Sequence, residues 1–207
     1  DVWALKLAAL VLQRQKGGGS TGSKALPPAE VAAAWALAAD GRDVVVATRL
    51  SVPERALWYA VQICRHIEGS LRRFPGGAPS AVVIADPFVG RGVARALNAT
   101  GIQVAQLDHR SKARGWRIKA RDCDVVIGLP SILLAAAARG TALFSRMSIL
   151  ALDDLGRFEQ HPQEAPALRG LLRRFPARRW GSSLVYTGSC PEIPRAALQA
   201  YADAPAT

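Results

Sequence analysis

Two adjacent carboxylates, Asp153 and Asp154, close an apolar run, Ser148-Ile149-Leu150-Ala151-Leu152, and lead into Leu155-Gly156-Arg157-Phe158. An acidic pair at the end of a buried strand suits a magnesium ion and, through it, the phosphates of a nucleotide. Phosphates also need a cradle, usually a glycine-rich turn of backbone N–H groups with a lysine at the start of a helix. The turn in the place for that role, Ala47-Thr48-Arg49-Leu50-Ser51-Val52-Pro53-Glu54-Arg55, has neither glycine nor lysine. Instead Ser51-Val52-Pro53-Glu54 spells a capping box, in which the serine hydroxyl and the glutamate carboxylate satisfy the first free amides of a helix. A carboxylate there takes the place of phosphate and repels it. Half of a magnesium–nucleotide site is present and half is erased, so Asp153 and Asp154 are expected to be solvated, vestigial acids that cap the next segment.

Other chemistry is sparse. Cys64, Cys123 and Cys190 are isolated, and no Cys/His cluster has tetrahedral ligand spacing, so no metal site is expected and the thiols read as reduced core residues of an intracellular protein. His66, His109 and His161 are scattered and read as single histidines in helices or loops. Gly17-Gly18-Gly19-Ser20-Thr21-Gly22-Ser23-Lys24 superficially resembles a phosphate loop, but Ser23 separates the glycine from the lysine and no strand precedes it. It reads as a linker.

Two basic clusters stand out. Arg110, Lys112, Arg114, Arg117, Lys119 and Arg121, with Trp116 among them, put six cations in twelve residues. Arg169, Arg173, Arg174, Arg178 and Arg179, with Trp180, form the second. Such clusters often only solvate a face, yet an aromatic in each suits phosphate contact combined with base stacking.

Short β-branched runs that alternate with Ala/Leu/Arg-rich segments would position these groups. Strands are predicted at Val44–Thr48, Ala81–Ala85, Ile102–Leu107, Asp124–Gly128, Ser148–Leu152 and Leu184–Thr187. Helices are predicted at Ala29–Ala39, Pro53–Glu68, Arg91–Asn98, Ser131–Arg139, Glu164–Arg174 and Ile193–Tyr201. Strands apolar throughout and alternating with helices imply a mostly parallel sheet covered on both faces, whose ligands gather at the carboxyl ends of the strands. Residues 1–26, a short helix and the Gly/Ser linker, are expected to precede one domain over 27–207.

With 207 residues, 50% of them hydrophobic and 21% charged, the composition is globular. A net charge of +11 and a pI near 10.6 favour a polyanionic partner such as RNA. The longest apolar stretches, Val31–Ala39 and Ile132–Ala138, fall far short of the roughly 20 residues of a membrane span, so no membrane partner is expected. The chain begins at Asp1 and is expected to be a processed or partial product.

Taken in order, the motifs resemble the first RecA-like domain of a DEAD-box RNA helicase over roughly Pro27–Ala206. Asp122-Cys123-Asp124-Val125-Val126-Ile127-Gly128-Leu129-Pro130-Ser131 looks like the family's strand ending in T-P-G-R, and Leu152-Asp153-Asp154-Leu155-Gly156-Arg157-Phe158 stands in the place of L-D-E-A-D-R-M. Tyr186-Thr187-Gly188-Ser189-Cys190-Pro191 sits where F-S-A-T-x-P belongs, and Trp35 with Gly41-Arg42-Asp43-Val44-Val45-Val46 matches the approach to the phosphate loop. The resemblance implies a three-layer RecA-like α/β fold, with Asp153 at the magnesium and Asp154 at the attacking water. The departures are functional: Val31 replaces the adenine-reading glutamine, Glu54 or Pro53 the phosphate lysine, Gly156 the last acid, and Thr187-Gly188-Ser189 its coupling partner. Among RNA contacts, P-T-R-E-L-A corresponds to Pro87-Phe88-Val89-Gly90-Arg91-Gly92, the paired glycines fall near His109-Arg110, and the T-P-G-R arginine falls at Ile132.

The expected function is therefore a non-catalytic pseudo-helicase domain with no cofactor and no small-molecule substrate. It would bind RNA and neighbouring proteins in a ribonucleoprotein, with a mitochondrial ribosome or its assembly intermediate as the specific expectation. An active helicase fragment is the first alternative. A second is an S-adenosylmethionine-dependent methyltransferase, because Asp86-Pro87-Phe88-Val89-Gly90-Arg91-Gly92 also resembles that family's D-P-F-x-G-x-G turn, with Asp108 placed to hold a ribose. That family's D-P-P-Y-like element has only Gly128-Leu129-Pro130-Ser131 as its counterpart.

Overall fold

The computed structural model describes residues 44–46, 51–69, 79–108, 123–139, 146–174 and 182–186. The β-branched runs form strands β1 (Val44–Val46), β2 (Ala81–Ile84), β3 (Val104–Gln106), β4 (Val125–Gly128), β5 (Ile149–Leu152) and β6 (Ser182–Tyr186). Between them lie helices α1 (Val52–Gly69), α2 (Pro87–Asn98), α3 (Pro130–Ala138), α4 (Leu155–Gln160) and α5 (Glu164–Arg174). All six strands join one sheet in the order β1-β6-β5-β2-β4-β3, and every pairing is parallel.

Because side chains alternate across a strand, each central strand feeds two cores. Ala81, Val83, Val125, Ile127, Ile149 and Ala151 face α1 and α2, meeting Trp58, Tyr59, Ile63, Val89, Val93 and Leu97. Val82, Ile84, Val126, Leu150 and Leu152 face the opposite layer, where Ile132, Leu133 and Ala136 of α3 join Leu168 and Leu171 of α5. Burial of each large apolar side chain contributes roughly 1.5–3 kcal/mol, which explains why the four-residue strands β2, β4 and β5 hold their places. The two helices of the first layer cross at Gly92, where a Cβ would lie 2.8 Å from Ala56 Cβ.

The expected three-layer architecture is thus present, with the described sheet parallel throughout. Strand ends shift by one to two residues. Helix α2 begins at Pro87, four residues before the predicted Arg91, because Asp86 caps it and proline suits the first helical position. The six-residue α4 has no counterpart among the predicted elements. The helices predicted at 29–39 and 193–201, and the proposed 1–26 extension, lie outside the described residues. Cys64 and Cys123 are buried and in no disulfide, in keeping with core thiols, and no described helix is long and apolar enough to cross a membrane.

Candidate functional site at the carboxyl edge of the sheet

The aligned registers Ile84↔Gly128 and Ile84↔Leu152 bring the residues that follow β2, β4 and β5 to one edge. There Asp153 is 1% exposed. Its Oδ1 lies 2.9 Å from Arg55 Nε and accepts a 3.2 Å hydrogen bond from the Tyr59 hydroxyl, which also donates to the Leu152 carbonyl. Arg55 and Tyr59 are one turn apart on α1, so the same helix face grips the end of β5 twice. Burial pushes the Asp153 carboxyl up to about 6; Arg55 opposes this, Asp86 adds to it, the Tyr59 hydrogen bond opposes it, and Asp154 adds to it.

The expectation of a solvated acid is therefore wrong for Asp153. Its partners sit on α1, more than ninety residues away in sequence, and no local reading of the strand end could place them. Asp154 is half-buried at the N-cap of α4, but its side chain makes no capping bond and its backbone is left-handed, with φ 52° and ψ 61°. Asp153 Oδ2 and Asp154 Oδ1 are buried and accept no hydrogen bond.

Carboxylates also hold three helix starts at this edge. At α1 the capping box forms as predicted: Ser51 N–H donates to Glu54 Oε2 at 2.6 Å, and Glu54 N–H reaches Ser51 Oγ at 3.5 Å. At α2, Asp86 Oδ1 accepts from the N–H groups of Phe88 at 2.6 Å and Val89 at 3.2 Å, while its Oδ2 pairs with Arg157 Nη1 at 3.0 Å. At α3, whose own cap residue is Leu129, the acceptor comes from another helix. Buried Glu164 takes the Ser131 N–H at 2.9 Å on Oε2 and the Ser131 hydroxyl at 2.8 Å on Oε1. Amides that would hold phosphates are thereby occupied from within the chain.

A cavity of about 50 Å³ opens beside Asp86, Gln106, Asp108, Leu129 and Ile132. That is room for a few waters, well below the roughly 300 Å³ at the lower end for organic ligands. Phe88 projects from the start of α2 with 70% of its surface exposed, and the Arg91 guanidinium lies 4.8 Å from its ring centre.

The predicted basic residues are not brought to this edge where they are described. Ser131 and Glu164 sit at the starts of α3 and α5, and their hydrogen bonds align these two helices side by side. Arg173 and Arg174, exposed in the last turn of α5, therefore lie about 14 Å further along that helix, toward the amino ends of the strands. Arg169 is engaged with Glu159 at 2.9 Å. Arg110, Lys112, Arg114, Trp116, Arg117, Lys119, Arg121, Arg178 and Arg179 lie outside the described residues. Of the histidines, His66 bonds to Ser148 Oγ on β5's approach, and burial lowers its pKa.

Two functional side chains are absent from the sequence-based expectations. Arg55 directly follows Pro53 and Glu54, the positions the resemblance singles out, yet a lone arginine before the apolar run Ala56–Val61 signals a buried charge in need of a partner. Glu164 reads as an ordinary first-turn acid of its own helix, and nothing in sequence ties it to Ser131.

By sequence the chain matches no described protein family and no curated protein. By structure it is similar to the RNA helicase Prp28 from Chaetomium thermophilum bound to ADP, with a TM-score of 0.72 and 14% identity over 96% of this chain and 46% of that one. A hypothetical ATP-dependent RNA helicase from Sulfolobus tokodaii gives a TM-score of 0.67 at 15% identity, covering 96% of this chain and 55% of that one. A DEAD box protein from Methanococcus jannaschii gives 0.68 at 12% identity, covering 82% and 46%. The chain spans about half the length of each. It has the fold of a RecA-like domain of the DEAD-box RNA helicases.

Proposed function

We propose that this chain is a RecA-like domain that no longer turns over nucleotide and serves as an RNA-binding part of a ribonucleoprotein. The observation that carries the reading is the start of α1. Phosphoryl transfer relies on electrostatic stabilisation of phosphate charge, and there the Glu54 carboxylate accepts the Ser51 N–H where a phosphate would need a cation and free amides. The net charge of +11 supports an RNA partner. Since Asp86 and Glu164 hold the starts of α2 and α3, phosphate contact is assigned to the basic segments: Arg110, Lys112, Arg114, Arg117, Lys119 and Arg121 with Trp116, and Arg173, Arg174, Arg178 and Arg179. Cations that are mostly arginine, in an alanine-rich chain, support an organellar particle, a mitochondrial ribosome or its assembly intermediate.

The test has two arms. The chain is expected to hydrolyse no ATP with or without RNA, and to bind RNA with an affinity that falls steeply with salt. Replacing Arg114, Arg117 and Lys119 with alanine should flatten that slope by about 0.7 log unit per lost single-strand phosphate contact. A second reading, an active ATP-dependent helicase fragment, is favoured by the unpartnered buried oxygens of Asp153 and Asp154, and RNA-stimulated hydrolysis would establish it. For the methyltransferase alternative the described residues offer the small cavity beside Asp86 and Asp108; saturable S-adenosylmethionine binding lost in Asp86→Ala would revive it.

A further inference from the structure

The acidic pair poses a question of charge. Asp153 is 1% exposed, its carboxyl is flanked by Asp86 and Asp154, and a buried anion needs a cation. In the resemblance to the helicases that cation is magnesium. Here the chain supplies one: Arg55, whose side chain is only 12% exposed, places Nε 2.9 Å from Asp153 Oδ1. A second pair, Arg157 with Asp86 at 3.0 Å, neutralises one of these neighbouring acids. The residues fit magnesium poorly. No group of three or more potential ligands exists among the described residues, so the ion would depend on Asp153 with Asp154 and on waters for its octahedral shell. A divalent ion at Asp153 would also meet the guanidinium head-on.

We propose that Arg55 is a resident counter-ion that takes the metal's place. The inference rests on the proposed non-catalytic reading and deepens it: the site is closed to metal by a side chain, in addition to lacking a phosphate cradle. Arg55 and Tyr59 tie α1 to the end of β5 in the absence of any ligand, so this junction keeps one geometry whether or not nucleotide and metal are in solution. Removing the guanidinium leaves Asp153 with no cation, and because Asp153 Oδ2 and Asp154 Oδ1 already lack hydrogen-bond partners, a metal ion with waters completing its shell could enter in its place.

The experiment measures thermal unfolding and Mn²⁺ binding by electron paramagnetic resonance on the full chain. Wild type is expected to bind no Mn²⁺ at this site and to show no change in melting temperature on its addition. Arg55→Ala should melt several degrees lower, take up Mn²⁺ and recover part of the loss with it, and Asp153→Asn in the same chain should abolish both uptake and recovery. Arg55→Lys, which keeps the charge, should bind no Mn²⁺ and stay near wild-type stability. Mn²⁺ bound by wild type and removed by Asp153→Asn overturns the proposal, as does an Arg55→Ala variant that is as stable as wild type. If Arg55→Ala does not fold, Mn²⁺ uptake by wild type or Arg55→Lys decides against the proposal and its absence from both decides for it. RNA affinity and ATP hydrolysis measured on the same wild-type sample test the functional reading separately, since a metal-binding chain that binds RNA without hydrolysis would sink only the counter-ion.

Discussion

Glu164 offers the sharpest quantitative test of how the carboxyl edge is built. It is 7% exposed, and both of its oxygens are spent on Ser131, one on the backbone N–H at 2.9 Å and one on the hydroxyl at 2.8 Å. Helix α3 has Leu129 at its cap, so Glu164→Ala strands a half-buried helix-start amide as well as a hydroxyl. Each charge-assisted bond is worth about 1.5–3 kcal/mol, and water entering the vacated space returns part of the sum, which leaves an expected loss of about 3 kcal/mol. For a chain of this length that corresponds to roughly 6–12 °C in melting temperature. Glu164→Gln keeps one acceptor and loses the charge that complements the α3 dipole, and should cost about half as much. Urea unfolding with an unchanged denaturant slope is the assay. In a double-mutant cycle Ser131→Ala should recover about 1–1.5 kcal/mol of coupling. A loss below about 1 kcal/mol for Glu164→Ala, or no coupling to Ser131, refutes the claim that this contact anchors α3 to α5.

Three further outcomes follow from the same geometry. Asp153 titrates near 6 in the folded chain against 3.8 unfolded, so its contribution is fully present below the unfolded value and is lost as pH rises through about 6. On lowering pH from 7 to 5, wild type should gain roughly 1 kcal/mol of stability relative to Asp153→Asn, read as the difference between their urea midpoints. Gly92→Ala drives a Cβ to 2.8 Å from Ala56 Cβ and should destabilise the chain by about 1–3 kcal/mol, with Ala56→Gly in the same chain restoring much of it in calorimetry. Arg173→Ala with Arg174→Ala should weaken RNA binding while leaving the melting temperature within about a degree, since both side chains are exposed at a helix end; an unchanged RNA affinity removes this cluster from the proposed contact surface.

The sheet is legible in the sequence because its strands carry their own signal. Alternation of apolar and polar residues is unnecessary when both faces are covered, and runs such as Ala81-Val82-Val83-Ile84 and Val125-Val126-Ile127 read as buried strands without any partner in view. The capping box at Ser51 and Glu54 is legible for a related reason, because it is a contact across three residues. What escapes a linear reading are contacts closed by the fold. Asp153 reads as a solvated acid until α1 brings Arg55 and Tyr59 over it, and Glu164 reads as a first-turn acid until α5 lies beside α3. Helix α4 is invisible in the pattern because six residues are too few to show a helical period.

Charge at the carboxyl edge has a direct bearing on where the proposed RNA partner would sit. Asp153 is paired with Arg55 and Asp86 with Arg157, while Glu54 and Glu164 fill the amides of two helix starts. An approaching polyanion would have to displace these internal carboxylates before it reached an amide, and each displacement would leave a carboxylate without its hydrogen bonds. The exposed arginines of α5 lie at the other end of that helix and face no such competition. A fold shared with helicases therefore need not carry an anion-binding edge with it, because the fold is specified by apolar runs in the strands and the edge by a few polar residues at helix starts. Those few residues can change sign while every strand stays in register, and in this chain Glu54, Asp86 and Glu164 are the residues that set the sign.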